Sequence, residues 1–120
     1  MKRLITILAL CGLLAPALAR GECSDIANFA EDCSRYSRRV LRESSFTEAL
    51  KYANKALDAS RKAEDLADEC ECDEAARVFS QVTRAAKKAT EARDIAGVKE
   101  HARETLQVAA EGEKAAELCR

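Results

Sequence analysis

The feature that most restricts this chain is a repeat framed by cysteines. A shift of 49 residues carries Cys23 onto Cys72 and Cys70 onto Cys119. In the same ungapped frame Ala27 meets Ala76, Arg35 meets Arg84, Arg38 meets Lys87 and Arg39 meets Lys88. Further on, Ala53 meets Ala102, Leu57 meets Leu106, Glu64 meets Glu113 and Ala67 meets Ala116. The chain therefore reads as two copies of one unit, residues 23–70 and 72–119, joined by the single residue Glu71.

Each unit reads as two helices. Ile26, Phe29, Ala30, Cys33, Tyr36, Ser37 and Val40 recur at three-and-four spacing, which marks one face of a helix. Phe46, Ala49, Leu50, Ala53, Leu57, Ser60, Ala63 and Ala67 form the matching face of the next. The second unit offers Ala75, Val78, Phe79, Val82, Ala86 and Ala89, then Ile95, Val98, Ala102, Leu106, Ala109 and Ala116. Ser24 and Asp73 are the expected N-caps of the first helix in each unit, and Ser45 and Asp94 of the second. Ser45-Phe46-Thr47-Glu48 also fits a capping box. No Pro follows Pro16, and no stretch alternates like a strand. The expected fold is all-α: two tandem disulfide-stapled helical hairpins, closed into a four-helix bundle or stacked openly. The apolar stripes are mostly alanine, which favours helix but buries little surface. A core of that kind gains most from covalent staples.

Residues 1–19 read as a secretory signal: a cationic start at Lys2 and Arg3, a short apolar run, Pro16, then Ala17-Leu18-Ala19. Lipidation at Cys11 would call for a small residue before it, and Leu10 stands there. The remainder, residues 20–120, is expected to be a single periplasmic or secreted domain with no transmembrane segment. Its 18 basic and 21 acidic residues leave a net charge of −3, a balance that does not point to nucleic acid. In an exported chain paired cysteines read as disulfides.

On an up-down-up-down path Cys23, Cys70, Cys72 and Cys119 gather at one pole. Pairing within units, Cys23–Cys70 and Cys72–Cys119, makes each unit self-sufficient and is preferred. Crossed pairing, Cys23–Cys72 with Cys70–Cys119, matches levels better, because the second helix of each unit overhangs the first by roughly 7 Å. Each staple closes a long loop and contributes on the order of 3–4 kcal/mol in the chain-entropy model. Cys33 is left over; its repeat partner is Val82, which reads as a buried free thiol. The alternative use of Cys70-Glu71-Cys72 is a metal site among Asp68, Glu69, Asp73 and Glu74, but zinc prefers wider cysteine spacing and a second pair.

The segment Ser45–Asp58, SFTEALKYANKALD, resembles the second helix of a tetratricopeptide repeat, with Phe46, Ala49, Leu50, Tyr52, Lys55, Ala56 and Leu57 at that family's spacing. Residues 30–43 then stand for the first helix. Ser44 and Arg61 occupy places where the family carries Gly and Pro, and the repeat here is longer than the family's ~34 residues. The resemblance implies stacked helical hairpins that bind a peptide or partner protein.

Arg35, Arg38, Arg39 and Arg42 cluster late in the first helix, and Arg84, Lys87 and Lys88 late in the third. Cations there offset the helix dipole. Two clusters exceed that need, so these seven residues are the candidate surface for an acidic partner. Glu100-His101-x-x-Glu104 is neither a zinc-protease helix nor a di-iron pair. No nucleophile–base set and no glycine-rich phosphate loop is present. The expectation is a non-enzymatic protein-binding module of the cell envelope, of adaptor, inhibitor or immunity type, with no cofactor; the alternative is a metal-binding protein using the acidic cysteine pole.

Overall fold

The computed structural model describes residues 22–119; the segment read as a signal peptide lies outside them. Four helices follow in order: α1 (Asp25–Arg42), α2 (Phe46–Glu69), α3 (Asp73–Glu91) and α4 (Ile95–Glu117). Each packs against its chain neighbours, and α1 also packs against α4. That last contact closes the ring into a four-helix bundle, in which α2 and α4 form one diagonal and α1 and α3 the other. The 49-residue shift exchanges α1 with α3 and α2 with α4, so it acts as an approximate two-fold rotation about the bundle axis.

The start signals are partly as the sequence implies. The Ser45 hydroxyl accepts from the Glu48 backbone N–H at 3.3 Å, and the Asp94 carboxylate from the Gly97 N–H at 2.8 Å. Ser24 stands at the start of α1 without a side-chain cap bond. Asp73 is not the cap of α3. Cys72 occupies that place, its carbonyl accepting the first helical bond from Ala76 at 2.9 Å, and Asp73 becomes the first helical residue. The reason is the turn before it. Glu71 takes a left-handed φ of 57°, the Cys72 N–H reaches back to the Ala67 carbonyl at 2.9 Å, and the Glu71 N–H to Asp68 at 3.0 Å. This pair of bonds is a Schellman ending for α2, and it turns the chain straight into α3.

Both staples lie at this pole, within units: Cys23–Cys70 with 5.9 Å between Cα atoms, and Cys72–Cys119 with 5.6 Å. The expected overhang of α2 is absorbed by a turn at residues 22–24, where the Asp25 N–H bonds the Glu22 carbonyl at 2.8 Å.

The core repeats as the sequence does. Buried Ile26, Ala30, Cys33, Ser37 and Val40 of α1 correspond under the shift to buried Ala75, Phe79, Val82, Ala86 and Ala89 of α3. Around the staples the core contains Ile26, Leu66, Val78, Phe79 and Val82. Towards the other pole it thins to Val40, Val98 and four alanines. In one place volume has been exchanged between units. Ala30 and Ala63 face the same layer that Phe79 and Gly112 fill in the second unit, and the Phe79 ring sits where a Cβ on Gly112 would be. Phe46, read as part of the apolar face, is 36 % exposed, because α1 has already ended at Arg42 and leaves nothing to cover it. Phe29, Tyr36, Leu50, Ile95 and Leu106 are half-buried rather than internal.

Candidate docking surface

Charge in this bundle is sorted along its axis. Cutting each helix at its midpoint, the half away from the staples (residues 35–57 and 84–106) carries twelve cations and six anions. The staple half (22–34, 58–83 and 107–118) carries four cations and fifteen anions. The first half is thus +6 and the second −11. Helix dipoles cannot account for this, because each pole holds two helix N-termini and two C-termini.

All seven candidate cations, Arg35, Arg38, Arg39, Arg42, Arg84, Lys87 and Lys88, are exposed and lie at the positive end. They share that end but not a face: α1 and α3 stand diagonally across the bundle. Arg35 is engaged with Asp32 at 2.8 Å, and Arg39 with Glu43 at 2.7 Å. Those hydrogen bonds hold both guanidinium groups more firmly protonated than usual. Arg38, Arg42, Arg84, Lys87 and Lys88 have no carboxylate partner among the described residues.

On the α1–α2 flank the structure assembles a set around Phe29 and Tyr36, which the sequence reading placed on the apolar face of the first helix. Tyr36 and Tyr52 stack with ring centroids 6.4 Å apart. The Arg39 guanidinium lies 4.5 Å from the Tyr52 centroid, and that of Arg35 5.4 Å from Tyr36. The Lys55 ammonium is 5.7 Å from both rings, and Lys62 reaches Phe29 at 6.0 Å. Phe29, Asp32, Tyr36, Lys55 and Lys62 line an open groove there. Each cation rests on an aromatic face, which orders it without neutralising it. The equivalent positions of the second unit hold Val78, Ala85 and His101, so this ladder belongs to the first unit alone. Helical periodicity could not separate a stripe that enters the core from one that edges it; the exchange of Tyr36 for Ala85 between repeats was the available signal.

The staple pole offers different chemistry. Cys70, Glu71, Cys72, Asp73, Glu74 and Cys119 border a cleft. Its three sulfurs are in disulfide bonds and cannot act as thiolate ligands. Among the described residues no three His, Cys, Asp or Glu side chains converge as a metal site. His101 Nδ1 lies 3.2 Å from Glu104 on the flank of α4. Cys33 is free and fully buried. Burial pushes its thiol up to about 12, with Glu113 and Asp32 adding to the rise. The nearby Ser37 hydroxyl pulls the other way, and its Oγ is buried without a hydrogen-bond partner among the described residues. Such a thiol is unreactive towards oxidants and metals.

No helix among the described residues is long and apolar enough to cross a membrane. Two disulfides fit an oxidising, extracytosolic compartment. Compared with protein-family models, curated proteins and solved structures, the chain matches none of them.

Proposed function

We propose that this chain is an exported, non-enzymatic helical protein-binding module, an adaptor, inhibitor or immunity-type protein of the periplasm. It docks an acidic partner in the cell envelope through the end of the bundle away from the staples. The observation that carries this reading is the axial sorting of charge, with five of the seven candidate cations lacking a carboxylate partner among the described residues. Folding does not need the arrangement, since exposed cations contribute little to stability. An acidic surface approaching the bundle is steered to one pole and repelled from the other. The signal-like residues 1–19 and the two staples support export, and the tetratricopeptide-like pattern of residues 45–58 supports partner binding by analogy.

The test changes Arg38, Arg39, Lys87 and Lys88 to Ser. The probe is a fluorescent oligoglutamate peptide, with a pull-down from the organism's own envelope to find the natural partner. The parent chain binds the peptide, and binding weakens as salt rises. The fourfold variant keeps its helicity and melting temperature, binds several-fold more weakly, and loses most of the salt dependence. Equal binding by parent and variant defeats the proposal.

A further inference from the structure

The repeat relation exposes a second pattern, on α2 and α4, that the axial sorting does not explain. Under the 49-residue shift four exposed charges of α2 are inverted on α4. Lys51 becomes Glu100, Lys55 becomes Glu104 and Lys62 becomes Glu111, while Asp65 becomes Lys114. All eight side chains are exposed. Between residues 51 and 65 the other two exposed charges, Asp58 and Arg61, meet neutral Gln107 and Ala110, and the half-buried Glu64 keeps its sign at Glu113, as exposed Asp68 does at Glu117.

The geometry makes these two stripes complementary. At 3.6 residues per turn, Lys51, Lys55 and Lys62 fall within an arc of about 40° on α2, and the three glutamates occupy the same arc on α4. The two helices run in the same direction and are exchanged by the approximate two-fold axis. The lysine stripe and the glutamate stripe therefore stand at equal heights and point in opposite directions. A second copy, moved sideways without rotation, brings its glutamates level with these lysines and its Lys114 level with Asp65. Within one molecule the stripes cannot meet, being on opposite sides. Within one copy the lysines have only local contacts: Lys62 is 3.2 Å from Asp58 and lies over the Phe29 ring, Lys51 is 3.9 Å from Glu48 and lies over Tyr52, and Lys55 lies over Tyr36 and Tyr52.

We infer that the α2 face of this protein binds the α4 face of a second copy of the same chain, parallel and in register. The contact is heterologous, and because it involves translation alone it does not close. It extends side by side into open rows. It is polar and weak, and it depends on salt. It leaves the cations of α1 and α3 outside the interface, so a row presents them repeatedly to a multivalent acidic partner. The inference does not depend on those cations and stands or falls apart from the docking proposal.

Zero-length carbodiimide cross-linking reads this contact directly, because it joins only lysine–carboxylate pairs in contact. Equal amounts of light and heavy-nitrogen mature protein are mixed and cross-linked, and the peptides are analysed by mass. Mixed-isotope links between Lys51, Lys55 or Lys62 and Glu100, Glu104 or Glu111 are expected. They fall at least tenfold or so between about 20 mM and about 500 mM salt. K51E/K55E/K62E alone and E100K/E104K/E111K alone each abolish those links while keeping parental helicity. Mixing the two triple variants restores cross-linking in both senses, between the native lysines of one variant and the native glutamates of the other, and between the introduced glutamates and the introduced lysines. Wild-type protein that gives only same-isotope links overturns the inference. So do variants that cross-link like wild type, and a mixture that fails to recover.

Discussion

Replacing Gly112 by Ala should destabilise this protein, although the same change elsewhere on a helix stabilises it. In a helix interior Ala is favoured over Gly by about 1 kcal/mol. Here an added Cβ would lie 2.7 Å from Phe79 Cζ, 2.8 Å from Cε1 and 3.3 Å from Cε2. Carbon atoms rest about 3.5–4.0 Å apart, so the ring or the helix must retreat by close to 1 Å. Phe79 is fully buried and has no free space to move into. Overpacking of this kind costs roughly 1–3 kcal/mol, which outweighs the propensity gain and leaves a net loss of up to about 2 kcal/mol. Urea melts followed by helical circular dichroism, with both disulfides intact, measure the difference. The control is the same substitution in a Phe79→Leu background, where the offending ring atoms are gone. There G112A should raise stability by about 1 kcal/mol. A higher urea midpoint for G112A in the parent chain, or equal effects in both backgrounds, would refute the interlock.

Glu71→Gly should stabilise by up to about 1 kcal/mol in the same assay, since an L-residue holds φ 57° there at a cost that glycine avoids. Replacing Cys72 and Cys119 together by Ala should cost a few kcal/mol, as expected for a long loop closing a small core. In the unfolded, unreduced chain of residues 20–120, alkylation should label one thiol, Cys33. Cys33 also gives the protein an alkaline weakness. Its pKa is raised from 9.0 to about 12 in the folded state, so the unfolded chain loses the proton first. The stabilisation is complete below pH 9 and is lost as pH climbs towards 12. Between pH 9 and 10 the parent should lose on the order of 1 kcal/mol more than Cys33→Val, and a parallel decline in both would exclude the thiol as the cause.

Much of the architecture is legible because it is periodic. The cysteine frame, the apolar stripes and the caps at Ser45 and Asp94 are local or repeated signals, and each staple joins the cysteines that open and close one unit. Other features depend on what a periodicity cannot carry. The cap of α3 moved from Asp73 to Cys72 because the left-handed Glu71 sets where the helix begins. The Phe79–Gly112 contact is a relation between two helices, invisible to either stripe alone, though the paired exchange with Ala30 and Ala63 hints at it. In the candidate surface, the seven cations were legible as a set. Their division between two diagonal helices was not, because helical phase says nothing of which helix stands beside which. Tyr36 read as core for the same reason, and in fact it edges the bundle, stacked on Tyr52 with cations on both rings.

Placing both staples at one pole, one residue apart, alters what distance along the chain means. Ser34 and Glu113 are hydrogen-bonded at 3.1 Å yet stand 79 residues apart in sequence. Through the sulfur bridges the route is far shorter: back to Cys23, over to Cys70, past Glu71 to Cys72, over to Cys119, and back to Glu113. That path is about twenty steps, so the oxidised chain behaves as a figure-of-eight whose two lobes meet at Glu71. The contact between the first and last helices, which a linear chain must find by a long search, becomes almost local. A protein with the contact map of a closed bundle then collapses with the kinetics of a much shorter one. Once the bridges exist, α1 and α4 are never far enough apart to lose each other.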